Sequence, residues 1–216
     1  MKSYIIGITG GVGSGKSLAL EYLSEVYDCI IIKADDIGNE VKLKGRECYN
    51  EIIDLLGKDI LNEYDEIDKK KMSDIIFADP ALVEKINAII HPAVRKEIEN
   101  IIEDDKGDHA FIVIEAALLV EADYFDILNE LWVVDSSKEI RIKRLMETRG
   151  YSLEKCENIM AFQNDTDYYI RSSDLFSEKN PFAEYYGIRV LQNNEGKNEL
   201  YSKIDNAMEE INGRIE

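Results

Sequence analysis

Eight residues near the N-terminus constrain this chain more than anything else in it. Gly10-Gly11-Val12-Gly13-Ser14-Gly15-Lys16-Ser17 satisfies G-x-x-x-x-G-K-[ST] at every fixed position. A β-type run, Tyr4–Thr9, precedes it. Residues 18–26 follow as an amphipathic helix, with Leu18, Tyr22 and Val26 on one face. Strand, glycine loop and helix together define a phosphate-binding loop, and each part has its own chemistry. Glycines permit a turn whose N–H groups point inward at phosphate oxygens. The helix adds its positive N-terminal end. Lys16 supplies a point charge for the β- and γ-phosphates, and the Ser17 hydroxyl can ligate Mg²⁺. Gly10 to Ser17 are therefore the candidate ATP-binding residues, with ATP and Mg²⁺ as the expected ligands.

Composition narrows the class. The chain has 216 residues, 45% of them hydrophobic, and a net charge of −18. That length suits one α/β domain with insertions. So acidic a surface fits neither a nucleic-acid partner nor an anionic membrane, and no apolar run is long enough to cross a bilayer. No signal peptide is expected, because glycines follow the short N-terminal apolar stretch at once. Cys29, Cys48 and Cys156 are scattered and form no C-x-x-C. His91 and His109 form no metal-ligand spacing. The expectation is a cytoplasmic protein with reduced, mostly buried thiols and small-molecule substrates. Its oligomeric state is not legible.

The rest of the chain alternates strands with helices. Residues 29–34 form an apolar run that reads as a strand buried on both faces. Residues 110–115, 131–134 and 188–191 read as further strands, and residues 197–211 as a closing amphipathic helix. This alternation predicts a doubly wound parallel sheet without fixing the strand order. Residues 35–109 look wholly helical and are far longer than an ordinary connection. Within them, Pro92 is expected to break the run and open a new helix bearing Arg95 and Lys96. A second helical stretch, 136–163, opens with a capping-box pattern, Ser136-x-x-Glu139; Gly150 ends its first helix and Ser152 caps the next.

Candidate partners for the loop lie beyond strand ends, where open α/β sheets bind ligands. Asp35 and Asp36 end the second strand; Asp35 is the candidate general base for an attacking hydroxyl, and Asp36 reads as a helix cap. Glu115 ends the third strand as a candidate metal-holding carboxylate, beside Ser17. Arg141, Lys143, Arg144 and Arg149 form a dense basic cluster. Arginines there could close as a lid over a triphosphate, and Arg144 and Arg149 are the candidates. Arg95 is a candidate contact for an anionic acceptor, whereas His91 taken alone reads as structural. No guanine-reading N-K-x-D occurs, and a short P-loop chain with two helical insertions points to a small-molecule kinase.

At this point the residues resemble a known family. I-T-G-G-V-G-S-G-K-S at 8–17, A-D at 34–35, I-N-A-I-I-H-P-A-V-R at 86–95, L-L-V-E at 118–121 and W-V-V at 132–134 are similar to dephospho-CoA kinase. That family uses ATP to phosphorylate the ribose 3′-hydroxyl of dephospho-CoA. The resemblance implies a P-loop kinase-like α/β fold with three parts. The nucleotide core would span 1–40, 109–136 and 186–216, the helical acceptor-binding insertion 41–108, and the helical lid 137–185. It implies Asp35 as catalytic base alongside Lys16 and Arg144. It also implies Arg144 and Arg149 on the lid, and an acceptor site built from Asp35, His91, Arg95, Glu115 and Leu118. Three positions depart from the family pattern: Lys33 stands where the family has the first aspartate of D-A-D, Asn39 where a basic residue is usual, and Ala117 where a proline is usual. Two alternatives stay open at this stage, a P-loop kinase with another nucleotide or nucleoside acceptor and a nucleotide-binding protein without transfer activity.

Overall fold

A computed structural model describes residues 3–180 and 187–215. The expected lid boundary at 185/186 lies outside the described residues. Five parallel-running strands form the one sheet among those residues: β1 (Tyr4–Thr9), β2 (Cys29–Lys33), β3 (Phe111–Glu115), β4 (Glu130–Asp135) and β5 (Ile188–Gln192). Their order is β2-β3-β1-β4-β5. β1 pairs in parallel with β3 and β4, and β4 pairs in parallel with β5. The chain leaves β1 toward β2 and β3 on one side and returns to β4 and β5 on the other. The carboxyl end of β1 is therefore the point where the winding reverses, and the Gly10 loop grows from it.

The order explains a difference from the sequence reading. β2 is an edge strand, and of its residues only Ile32 is fully buried. Its apolar run packs one face inward and leaves the other half-covered. The central strands β1 and β4 are buried almost throughout. Ile6, Ile8, Val113, Trp132 and Val134 form the heart of the core.

Helix α1 (Lys16–Val26) buries Ala19, Leu20 and Leu23. The expected stripe lies beside that face: Leu18 and Tyr22 are only half-buried and Val26 is exposed. Tyr22 is instead occupied by the last helix, α10 (Lys197–Ile215). It stacks on Tyr201 with centroids 3.9 Å apart, and its hydroxyl, with that of Tyr27, donates to Asp205. Leu200, Ile204, Ala207, Met208 and Ile211 of α10 complete this layer.

The chain forms two compact units, Met1–Ile32 with Gly107–Glu216, and Lys33–Lys106. The first holds the sheet together with α6 (Lys138–Arg149), α7 (Leu153–Ala161), α8 (Thr166–Arg171) and α9 (Ser173–Lys179). The second holds α2 (Ala34–Glu40), α3 (Glu47–Leu56), a short 3-10 turn, α4 (Lys69–Ala78) and α5 (Pro80–Asp105). Its core joins Ile37, Cys48, Ile52, Ile60, Val94 and Ile98.

Pro92 does not break the helix. α5 runs through it without interruption, capped by Asp79, whose side chain accepts the Ala81 N–H. Proline removes one backbone donor there, but Ala93, Val94 and Ile98 are buried directly after it. Tertiary burial outweighs the lost bond. Arg95 and Lys96 therefore sit in mid-helix rather than in a first turn.

Candidate active site

The loop between β1 and α1 is held open by its own backbone. Gly15 is the N-cap of α1 with φ 109°, and a Cβ there would stand 2.2 Å from Asn193 Nδ2. Only glycine fits both the left-handed backbone and that approach. Ser14 N–H closes a tight turn onto the Gly11 carbonyl at 3.2 Å. The N–H groups of Gly13, Gly15 and Ser17 donate to no group among the described residues. Three uncommitted donors within five residues at a helix N-terminus can serve as an anion cradle. Lys16 lies across it, its Nζ donating to the Gly10 carbonyl at 2.7 Å. The Ser17 hydroxyl is exposed in the first turn of α1.

Cations frame this cradle. Arg141 donates from Nε to the Val12 carbonyl at 2.9 Å and from Nη2 to Gln163 Oε1 at 2.7 Å. Its Nη1 has no partner among the described residues. Burial pulls the Arg141 pKa below its ordinary value, opposed by the Asp135 carboxylate, and the guanidinium stays charged all the same. Arg141, Gly10, Gly11, Asp135 and Asp165 line a cleft of about 270 Å³.

Arg144 has a different setting from the one expected of a mobile lid. Its Nη1 donates to the Ser14 carbonyl at 3.2 Å and to Ser136 Oγ at 2.9 Å; its Nη2 donates to the Asn193 carbonyl at 2.9 Å. Asn193 Nδ2 adds a bond to the same Ser14 carbonyl at 2.7 Å. Arg144 thus braces the back of the loop against the ends of β4 and β5. Ser136 is drawn inward as part of that brace, donating toward the Asn193 carbonyl at 2.6 Å. The helix cap is therefore Ser137, which accepts the Ile140 N–H, rather than Ser136. Gly150, in the left-handed region, ends α6 and Ser152 caps α7, as the sequence indicates. Arg149 is exposed at the last residue of α6.

Arg144→Ala should strip three elements of their common donor. Hydrogen bonds to charged groups contribute about 1.5–3 kcal/mol, so thermal unfolding of the variant is expected to fall by roughly 3–12 °C. Turnover should drop with it, because the loop loses its backing. Unchanged melting would contradict the bracing role.

The remaining candidates distribute as follows. Glu115 closes β3, half-buried, in register opposite Ile8 of the adjacent P-loop strand. Leu118 is exposed in the connection after β3. Among the described residues no cluster of three His, Cys, Asp or Glu side chains could hold a metal ion. The Ser17 hydroxyl and the Glu115 carboxylate are oxygen ligands of the kind Mg²⁺ takes, and that ion keeps waters and binds largely through substrate phosphates. Within the second unit, Asp35 and Asp36 are exposed in the first turn of α2. The helix begins at Ala34 with Lys33 as its N-cap and no side-chain cap bond. Neither aspartate ends the strand, and Asp36 is not a cap. Two acidic residues in a first turn suit the helix dipole instead. Asn39 turns back on its own helix, donating to the Asp35 carbonyl at 2.9 Å.

Arg95 is pinned at 2.8 Å to Glu99, one turn on. His91 is half-buried in mid-α5. The half-buried cation near Asp35 in this unit is Lys42, whose pKa is lowered by burial first and by Lys69 second, with Asp35 opposing. Sequence reasoning passed over Lys42, Gln163 and Asn193, and placed Arg141 in the basic cluster without choosing it as a candidate. The basic cluster signalled Arg141; the other three carry no local signal.

A parallel sheet wound both ways from a phosphate-binding loop, with helical excursions after β2 and β4, defines a P-loop kinase-like α/β protein. The chain belongs to the dephospho-CoA kinase family, whose model, described as dephospho-CoA kinase, matches residues 4–181. It is 38% identical over 188 residues to the dephospho-CoA kinase of Carboxydothermus hydrogenoformans, covering 87% of this chain and 91% of that one. It is 31% identical to the dephospho-CoA kinase of Fusobacterium nucleatum, covering 98% and 100%. A crystal structure from Thermus thermophilus shares the fold with a TM-score of 0.73 at 22% identity, covering 97% of this chain and 98% of that one. Among the described residues no helix is long and apolar enough to cross a membrane.

Proposed function

We propose that this chain transfers the γ-phosphoryl group of ATP to the ribose 3′-hydroxyl of dephospho-CoA, giving CoA and ADP. Family membership across residues 4–181 carries this reading, and the cradle of free N–H donors beside Lys16 supports it. The hydroxyl oxygen attacks the γ-phosphorus, the bond to the β–γ bridging oxygen breaks, and ADP leaves. The P-loop N–H groups and Lys16 hold the β- and γ-phosphates and stabilise charge as it shifts toward the leaving oxygen. Arg141 turns its uncommitted Nη1 to the phosphates. Asp35 accepts the hydroxyl proton; its exposure in the first turn of α2, directly after β2, supports that role. Lys42 offers an anionic acceptor a cation near Asp35. Ser17 and Glu115 would hold Mg²⁺, which when bound neutralises phosphate charge.

ADP formation tests the proposal. Release of ADP from ATP should require both Mg²⁺ and dephospho-CoA, and should stop with excess chelator. Equal release without an acceptor, or with adenosine in its place, would overturn the assignment of substrate.

A further inference from the structure

Val12 is held by side chains from elsewhere at both its backbone N–H and its carbonyl. Its N–H donates to Gln163 Oε1 at 2.9 Å, and its carbonyl accepts from Arg141 Nε at 2.9 Å. Arg141 Nη2 donates to the same Gln163 oxygen at 2.7 Å. The three groups close a ring in which one neutral oxygen receives two donors. Arg141 lies so close across the loop that a Cβ on Gly11 would stand 2.2 Å from Nη2.

Gln163 is itself fixed from both sides. Its N–H donates to the Met160 carbonyl at the end of α7 at 3.1 Å. The next residue, Asn164, donates from Nδ2 to Glu121 in the β3–β4 connection. Asp165 then caps α8 by accepting the Tyr168 N–H at 2.8 Å. The segment after α7, which the phosphate-binding motif leaves unexplained, therefore anchors one amide oxygen against the phosphate loop.

We infer that Gln163 is a positioning residue for phosphoryl transfer: it orients the Val12 peptide and the Arg141 guanidinium for the nucleotide phosphates. The inference rests on the reading of the chain as an ATP-dependent kinase. The choice of a neutral amide has a physical reason. A carboxylate would keep both bonds but set a negative charge where phosphates must arrive. An apolar side chain would leave the Val12 N–H and Arg141 Nη2 without their acceptor. Arg141, already uncommitted at Nη1, would then be held by a single bond.

The test uses Gln163→Leu, Gln163→Glu and the double variant with Arg141→Ala. Loss of two hydrogen bonds predicts a fall in kcat/KM for ATP of roughly tenfold to a hundredfold in Gln163→Leu. The KM for dephospho-CoA should stay within about twofold, since the interaction belongs to the nucleotide side. Adding Gln163→Leu to Arg141→Ala should cost less than Gln163→Leu costs in the wild type, because the part that acts through that arginine is already gone and only the Val12 bond remains to be lost. Hydrogen exchange at the Val12 amide should speed up in Gln163→Leu and stay protected in Gln163→Glu, which retains the acceptor. If Gln163→Leu does not fold, Gln163→Asn, too short to reach both donors, should give the same direction of change. ATP affinity measured by calorimetry without any acceptor separates this inference from the choice of substrate. A weaker ATP affinity in Gln163→Leu supports it even if the wild type phosphorylates a different acceptor. Wild-type ATP affinity in Gln163→Leu, additive costs in the double variant, or equal rises in both KM values with a lowered melting temperature would each overturn it.

Discussion

Lys16→Ala is expected to abolish measurable phosphoryl transfer while leaving the fold intact. The ammonium lies across the phosphate loop and donates to the Gly10 carbonyl at 2.7 Å, so it is already in place to exchange that carbonyl for phosphate oxygens. Its contribution grows as negative charge shifts onto the β–γ bridge. A loss on the order of 10³-fold or more follows. The hydrophobic layer of α1, Ala19, Leu20 and Leu23, does not involve Lys16, so the thermal melt should move by no more than about 2–4 °C, the shift that 1 kcal/mol brings in a chain of this size. Turnover near the wild-type value would remove the loop from the reaction.

Asp35→Asn should lower kcat by about 10²–10⁴-fold, the usual cost of losing a general base. Asparagine keeps the size and the hydrogen-bonding reach but cannot take the proton. ATP affinity should hardly change, because the nucleotide is held by the P-loop. Asp36→Asn is the internal control. Both aspartates are exposed in the first turn of α2. Removing either charge there costs the helix about 0.3–1 kcal/mol through the dipole, too little to explain a catalytic defect. Asp36→Asn should therefore remain within roughly tenfold of wild type. Steady-state kinetics with dephospho-CoA decides between them: an inactive Asp36→Asn beside an active Asp35→Asn would reassign the base.

Much of the fold was legible because its signals are local. The strand before Gly10, the glycine spacing and the helix after it are contiguous, and the apolar runs of β3 and β4 announce buried strands. Strand order was not legible, since it depends on which surfaces cover the sheet. That is why β2, as apolar as a central strand, turned out to be an edge. Pro92 misled for a similar reason: local preference predicts a break, but burial of Ala93, Val94 and Ile98 holds α5 continuous. Ser136 and Ser137 are equally good caps by composition. What selects Ser137 is the pull of Arg144 and Asn193 on Ser136, a contact spanning 57 residues in one direction. The site divides the same way. Lys16 and Ser17 are fixed by the motif. Gln163 and Asn193 act through bonds to loop backbone 151 and 179 residues distant, which no periodicity in the sequence encodes.

The most direct test of the account is the identity of the product. Wild-type protein would be incubated with ATP, Mg²⁺ and dephospho-CoA, and the product examined by mass spectrometry and phosphorus NMR. The account predicts a product one phosphoryl group heavier than dephospho-CoA, carrying a new phosphomonoester on the ribose 3′-oxygen, with one ADP formed for each. A product phosphorylated elsewhere, or ADP accumulating while dephospho-CoA remains unchanged, would contradict it.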